Sequence, residues 1–182
     1  MTKAAAVASH SPIIGIVGWK NSGKTTLTCR LIAEFTRRGL AVASVKHAHH
    51  AFTIDDGATD SARHRRAGAG QIAVVSSARV AVITELADRP EPSLADVIGR
   101  LAPCDLIIVE GYKLAPFAKI EARRTAQLDK QSLALSDPWV IAIAADHAVT
   151  AATLPVFGLD DVVGLANFIA STVLKTRTTG QS

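Results

Sequence analysis

The sequence predicts an α/β domain of three layers, a mostly parallel sheet covered by helices on both faces. Three observations lead there. Short apolar runs alternate with helical patterns along the 182 residues. Several of those runs, "PIIGIV", "DLIIVE" and "WVIAIAA", carry no polar alternation, as strands do when both their faces are buried. Glycines stand where the helical patterns stop, Gly39 after the first and Gly68 near the end of the second. The 48% apolar share is ample for a core, and 4% aromatics means that Val, Ile, Leu and Ala must build it.

Residues 1–11 are small or polar and read as a frayed tail. "PIIGIV" is the first strand, followed by a glycine-containing turn and a helix from Lys24 to Arg38. "AVASVK" makes the second strand and "DSARHRRAGA" a short helix. "QIAVVSS" and "RVAVITEL" are two strands joined by a tight turn. Ser93 caps a helix over "SLADVIGRL". "DLIIVE" is a continuous apolar strand, "AKIEARR" an alternating one, and "WVIAIAA" another buried one. "DDVVGLANFIASTVLK" closes the fold as an amphipathic helix, and residues 176–182 read as a second frayed tail. The pair around Ser76–Arg79 and the strand at Ala118–Arg123 are the candidates for antiparallel members. No repeat or linker interrupts the pattern, so residues 12–175 are expected to form a single domain.

A net charge of +4 suits an anionic partner. The densest basic cluster, "RHRR" at residues 63–66, lacks the interleaved aromatics of a base-stacking surface, which argues against nucleic acid. Cys29 and Cys104 lie far apart and form no metal-ligand spacing, in keeping with a reducing compartment. No apolar run approaches the roughly 20 residues of a membrane-spanning helix. The N-terminus has no uninterrupted apolar stretch of a signal peptide. The expected compartment is the cytoplasm.

The stretch "GIVGWKNSGKTT", residues 15–26, carries the chemistry. Gly18 through Thr25 fit the pattern G-x-x-x-x-G-K-[ST], with a buried strand before and a helix after. Gly18 and Gly23 let the backbone curl so that successive N–H groups face one anion, and the helix N-terminus adds its partial positive charge. Lys24 would reach the β- and γ-phosphates and the Thr25 hydroxyl would ligate Mg²⁺. The pattern arises by chance about once in a hundred such chains, and less often in this context. The fold class is therefore a three-layer P-loop NTPase. Lys20 has two readings, a second phosphate contact or a solvated loop charge.

A P-loop enzyme needs a carboxylate at the end of a neighbouring strand to organise the metal. "CDLIIVEG" offers Asp105 and Glu110. Asp105 opens the strand, roughly 16 Å from the edge where the phosphate loop emerges, and Glu110 ends it. Glu110 takes the metal-side role, against the alternative of a carboxylate that merely ends a buried strand. "KHAHH" (Lys46–His50) follows the second strand onto the same edge. Lys46 and His47 are candidates for phosphate contact or hydrogen bonding, beside a metal site or a solvated loop. Asp55, Asp56 and Asp60 precede a basic helix; Asp60 either orients water or Mg²⁺ near the γ-phosphate or simply suits the helix dipole. "IAIAAD" brings Asp146 to the same edge, where it could accept from the N1–H and amine of guanine, although N-K-x-D is absent.

Together, "GWKNSGKTTL", "VKHAHH", "DS" at Asp60–Ser61 with "AGA" at Ala67–Ala69, and "LIIVEGYK" with the following "AKIE" resemble the MobB family. The match runs from about residue 13 to residue 160. The resemblance implies a GTP-binding protein with weak GTPase activity and a homodimeric state. It would act as an adapter for a MobA-like nucleotidyltransferase in converting molybdopterin to its guanine dinucleotide. It implies a phosphate loop over Gly18, Lys20, Asn21, Ser22, Gly23, Lys24, Thr25 and Thr26, with Glu110 as the second acid. Lys46, His47, Asp60 and Lys113 would line the nucleotide or partner site. One departure stands out: "ATDS" puts Ala58 and Thr59 where the family reads close to G-K-D-S. Two other functions use the same loop, a small-molecule kinase with Arg123 and Arg124 closing on the phosphates, and a metallochaperone GTPase storing metal on the histidines.

Overall fold

The computed structural model of the chain describes residues 11–48, 54, 57, 59–150 and 153–174. By their contacts these fall into two compact units. One is built from the residues up to His47 together with Leu101 onward, the other from residues 48–100.

The first unit holds a six-stranded sheet, in the order β2-β5-β1-β6-β7-β8. Its strands are β1 (Ile13–Val17), β2 (Val42–Lys46), β5 (Leu106–Glu110), β6 (Lys119–Arg123), β7 (Val140–Ala145) and β8 (Val156–Gly158). Every pairing within it is parallel. The α/β class is therefore as the sequence predicts, with one correction. The alternating strand "AKIEARR" does not join antiparallel; as β6 it runs parallel between β1 and β7. β8, three residues long and directly following Pro155, has no apolar run long enough to have been foreseen.

Helix α1 (Lys24–Arg37) buries Leu27, Leu31 and Phe35, spaced four apart on one face. They pack with Ile14, Ile16, Leu106, Ile108, Ile120 and Ala142 of the sheet and with Leu165, Ala166 and Ile169 of α4 (Val162–Ile169). Each fully buried Leu or Phe contributes roughly 1.5–3 kcal/mol, so this layer fixes α1, and with it the loop that precedes it. Asp161 caps α4 by accepting from the Gly164 N–H at 2.9 Å, and the helix widens into a π-turn over Ala170–Leu174.

On the residues of β6 that alternate with this core, the chain buries charge. Lys119 and Glu121 are both fully inaccessible. The Lys119 Nζ donates to Asp137 Oδ2 and to the Lys113 carbonyl, each at 2.6 Å. Glu121 accepts from the Ser132 hydroxyl at 2.6 Å and from the N–H groups of Leu133 and Ala134 at 2.9 and 3.0 Å. These bonds pin the crossover between β6 and β7, which carries two short 3₁₀ turns, Thr125–Gln127 and Leu133–Leu135.

The second unit contains α2 (Asp60–Arg66), the hairpin of β3 (Gln71–Val75) and β4 (Val80–Thr84), and α3 (Leu94–Ile98). The hairpin is antiparallel as expected but forms a separate two-stranded sheet. Thr59 caps α2 by accepting from the Ala62 N–H at 3.2 Å. Ser93 caps α3 in a reciprocal box with Asp96. Val75, Val80 and Val82 of the hairpin are 60–70% exposed.

Candidate functional site

The turn between β1 and α1 closes when the Ser22 N–H donates to the Trp19 carbonyl at 3.2 Å. At Gly18, φ is +149°, and an added Cβ would stand 2.5 Å from the Ala122 carbonyl and against the Ser22 hydroxyl. The loop can follow this path only without a side chain there. Asn21 takes the left-handed conformation at φ 63°, which its side chain tolerates. Gly23 stands at the N-cap of α1, and neither a capping side chain nor an acidic residue occupies the helix's first turn. The open N–H groups and the helix dipole are thus left to an incoming anion.

A hollow of about 330 Å³ is lined by Asn21, Gly23, Lys24, Thr25, Thr26 and Arg124. A larger hollow of about 640 Å³ lies along Arg30, Ala33, Glu34, Arg37, Asp160, Val162 and Val163. Its charged groups satisfy one another, Arg30 with Asp160 and Arg37 with Glu34, so it lacks the unanswered donors of the smaller one.

Lys24 lies back on its own loop, its Nζ donating to the Trp19 carbonyl at 2.6 Å. Burial lowers its pKa; Glu110 works the other way, while Lys113 and Lys46 add to the lowering. Glu110 is 7% exposed at the end of β5. Its Oε1 accepts from the Thr25 hydroxyl at 2.7 Å. The sheet register places Lys46 opposite Glu110, and the Lys46 Nζ stands 3.4 Å from both Glu110 Oε1 and Thr25 Oγ1. Two hard oxygens that already attract a cation between them suit Mg²⁺ in donor type. Asp105, at the opposite end of the same strand, accepts from the Ala41 N–H at 2.9 Å.

The residues around this centre hold one another. The Trp19 indole N–H donates to the Gln131 carbonyl at 2.8 Å, and the Lys113 Nζ lies 4.1 Å from the ring centroid. His47 continues the ladder by donating its N–H to the Glu110 carbonyl at 3.0 Å, and its ring stacks on Tyr112 at 4.5 Å. Tyr112 itself sits at φ 51°, uncommon for a bulky residue. Lys20 is exposed.

Asp146 ends β7. Its Oδ1 accepts from the Thr125 N–H at 2.7 Å and the Thr125 hydroxyl at 3.0 Å, and it faces His147 Nδ1 at 3.0 Å. Its pKa is lowered, first by the His147 hydrogen bond and then by those of Thr125, against a desolvation effect that raises it. Asp60 belongs to the second unit, where it opens α2 and pairs with Arg63 at 3.3 Å. His49, His50, Asp55 and Asp56 lie outside the described residues. Among the described residues no three His, Cys, Asp or Glu side chains gather as a metal cage.

Arg124 is the site residue that the sequence reading left out of the loop. Its guanidinium flanks Gly23: a Cβ added there would stand 3.0 Å from Nε. The signal was present in the pair Arg123–Arg124. The sequence reading brings that pair to the phosphates only in the alternative of a kinase lid; the parallel pairing of β6 puts Arg124 beside the loop itself.

The chain is similar to known proteins in sequence and in fold. The model of the family described as MobB, molybdopterin guanine dinucleotide synthesis protein B, matches residues 13–146. The molybdopterin-guanine dinucleotide biosynthesis adapter protein of Escherichia coli K12 is 34% identical over 166 residues, covering 90% of this chain and 94% of the relative. Its counterpart from Haemophilus influenzae is 35% identical, with 75% of each chain covered. Among solved structures, Bacillus subtilis MobB superposes with a TM-score of 0.69 at 26% identity, covering 89% of this chain and 98% of the other.

Proposed function

The chain belongs to the MobB family, and from that premise we propose that it serves molybdopterin guanine dinucleotide synthesis as a GTP-binding adapter with weak GTPase activity. The observation that carries the reading is the phosphate loop with its second acid in register: open N–H groups at α1, Lys24 bonded to the Trp19 carbonyl of the loop, and Thr25 bonded to Glu110. On this reading the loop takes the β- and γ-phosphates, and Lys24 exchanges the Trp19 carbonyl for a phosphate oxygen. Thr25 and Glu110 would hold Mg²⁺, which neutralises charge on the phosphates. Asp146 Oδ2, which takes no hydrogen bond among the described residues, is the oxygen left for a guanine edge. Adenine offers an acceptor where guanine offers N1–H, so GTP is expected to bind at least about ten-fold better than ATP.

The adapter role is supported by the curated relatives, each named for it. The proposed partner is a MobA-like nucleotidyltransferase, with molybdopterin or its guanine dinucleotide as the cargo of the assembly. No helix among the described residues is long and apolar enough to cross a membrane, and the proposed compartment is the cytoplasm. A homodimer would cover the valines that the β3–β4 hairpin exposes.

The test is calorimetric titration of the full chain with Mg²⁺ and GTP. Lys24→Ala should weaken binding by at least about ten-fold, the scale of one lost charge-assisted hydrogen bond, with the fold intact. Unchanged affinity would remove the nucleotide from this loop. Equal binding of ATP, or rapid phosphoryl transfer to a small alcohol without a partner protein, would favour a kinase instead.

A further inference from the structure

We propose that Arg124 is a second cation for the phosphates of the bound nucleotide, aimed by the clasp between Asp146 and Thr125. The inference rests on the nucleotide reading above and adds a residue that the P-loop pattern does not contain.

The first support is position. Arg124 lines the same hollow as Asn21, Gly23, Lys24, Thr25 and Thr26. Its Nε, Nη2 and Cζ would stand 3.0, 3.5 and 3.6 Å from a Cβ at Gly23, so the guanidinium lies beside the first turn of α1.

The second is charge. Arg124 is exposed and makes no side-chain hydrogen bond or ion pair among the described residues. Lys113 and Lys46 both act on the Lys24 ammonium, and the Glu110 carboxylate acts on it with the opposite sign. A fourth cation next to the positive end of a helix is costly unless a multiply charged anion joins it.

The third is how the backbone is held. Arg123 pairs in register with Ala145, next to Asp146. Asp146 then grips the N–H and hydroxyl of Thr125 with one oxygen. The Gln127 N–H donates to the Arg124 carbonyl at 2.8 Å. The Arg124 backbone is thereby fixed on both sides while its side chain stays free to meet a ligand. A planar fork with several donors on a fixed stem suits phosphate oxygens.

The experiment compares GTP and inorganic tripolyphosphate, which has the charge but no base, on the wild-type chain and on Arg124→Ala, Arg124→Gln and Arg124→Lys. Binding is read by calorimetry and folding by the thermal midpoint. The expected result is a loss of about ten-fold to a hundred-fold for both ligands in the Ala and Gln variants. Arg124→Lys should recover part of it, and the salt dependence of binding should flatten in Ala and Gln. The midpoint should not move, since the side chain is exposed. If GTP affinity falls while tripolyphosphate affinity holds, Arg124 serves the base and the inference is overturned. Unchanged affinity for both ligands overturns it as well. A wild-type chain that takes up neither ligand overturns the nucleotide reading and this inference together, a result distinct from the other two.

Discussion

Glu110 and Asp105 are the same chemistry at two ends of one strand, and their partners show why only one of them faces the phosphate loop. Glu110 meets the Thr25 hydroxyl and the Lys46 ammonium; Asp105 meets the backbone N–H of Ala41. Glu110→Gln keeps the shape and an acceptor oxygen but removes the charge that would hold Mg²⁺. It should depress Mg²⁺-dependent GTP hydrolysis more than GTP affinity, and Asp105→Asn should change neither. Single-turnover hydrolysis beside calorimetric binding separates the two effects, and equal losses from both substitutions would contradict the proposed roles. This pair was legible in the sequence because strand direction alone decides which end meets the loop. Asp146 was legible only in part. Its place at the end of β7 follows from the apolar run, whereas its grip on Thr125 depends on a 3₁₀ turn that no periodicity announces.

At the scale of elements, β1, α1 and β5 follow directly from apolar runs, the glycine at the helix end and the loop pattern between them. β6 does not. Strict alternation of polar and apolar residues describes a strand with one solvated face, and "KIEAR" alternates. Here the polar set is sealed by the 131–137 segment, whose N–H groups and carboxylate complete the charges of Lys119 and Glu121. A period of two cannot distinguish a wet face from a buried polar network, and so the strand's place in the middle of the sheet stayed hidden, and Arg124 could be read only as part of a lid. Removing one member of a buried pair strands the other, at a cost of about 3–5 kcal/mol. Lys119→Ala should therefore lower stability by about that much, and urea unfolding measures it. A loss below about 1 kcal/mol would mean that water, which already reaches the 17% exposed Asp137 side chain, replaces the lysine there.

At the scale of the molecule, the proposed homodimer has a surface to answer for. Val75, Val80 and Val82 are 70%, 66% and 60% exposed on a two-stranded hairpin, and an isolated hairpin is marginal in water without further cover. If self-association covers that surface, Val75→Lys with Val82→Lys should convert a dimer to a monomer in sedimentation velocity. The nucleotide affinity of the other unit should remain. A dimer that persists in the double variant moves the interface elsewhere. The sequence showed the hairpin through its tight turn at Ser76–Arg79, yet it gave no sign that the two strands stand outside the parallel sheet, because alternation is identical in both settings.

The contact between Trp19 and its neighbours has an optical consequence. The chain holds two tryptophans, and one of them supplies the carbonyl on which Lys24 rests while its ring lies under the Lys113 ammonium. Indole emission responds to nearby charge and to the bonding of its N–H. A phosphate that draws either lysine away alters the surroundings of that ring. With Trp139→Phe leaving a single tryptophan, the protein would report its own occupancy as a change in indole fluorescence, without any label.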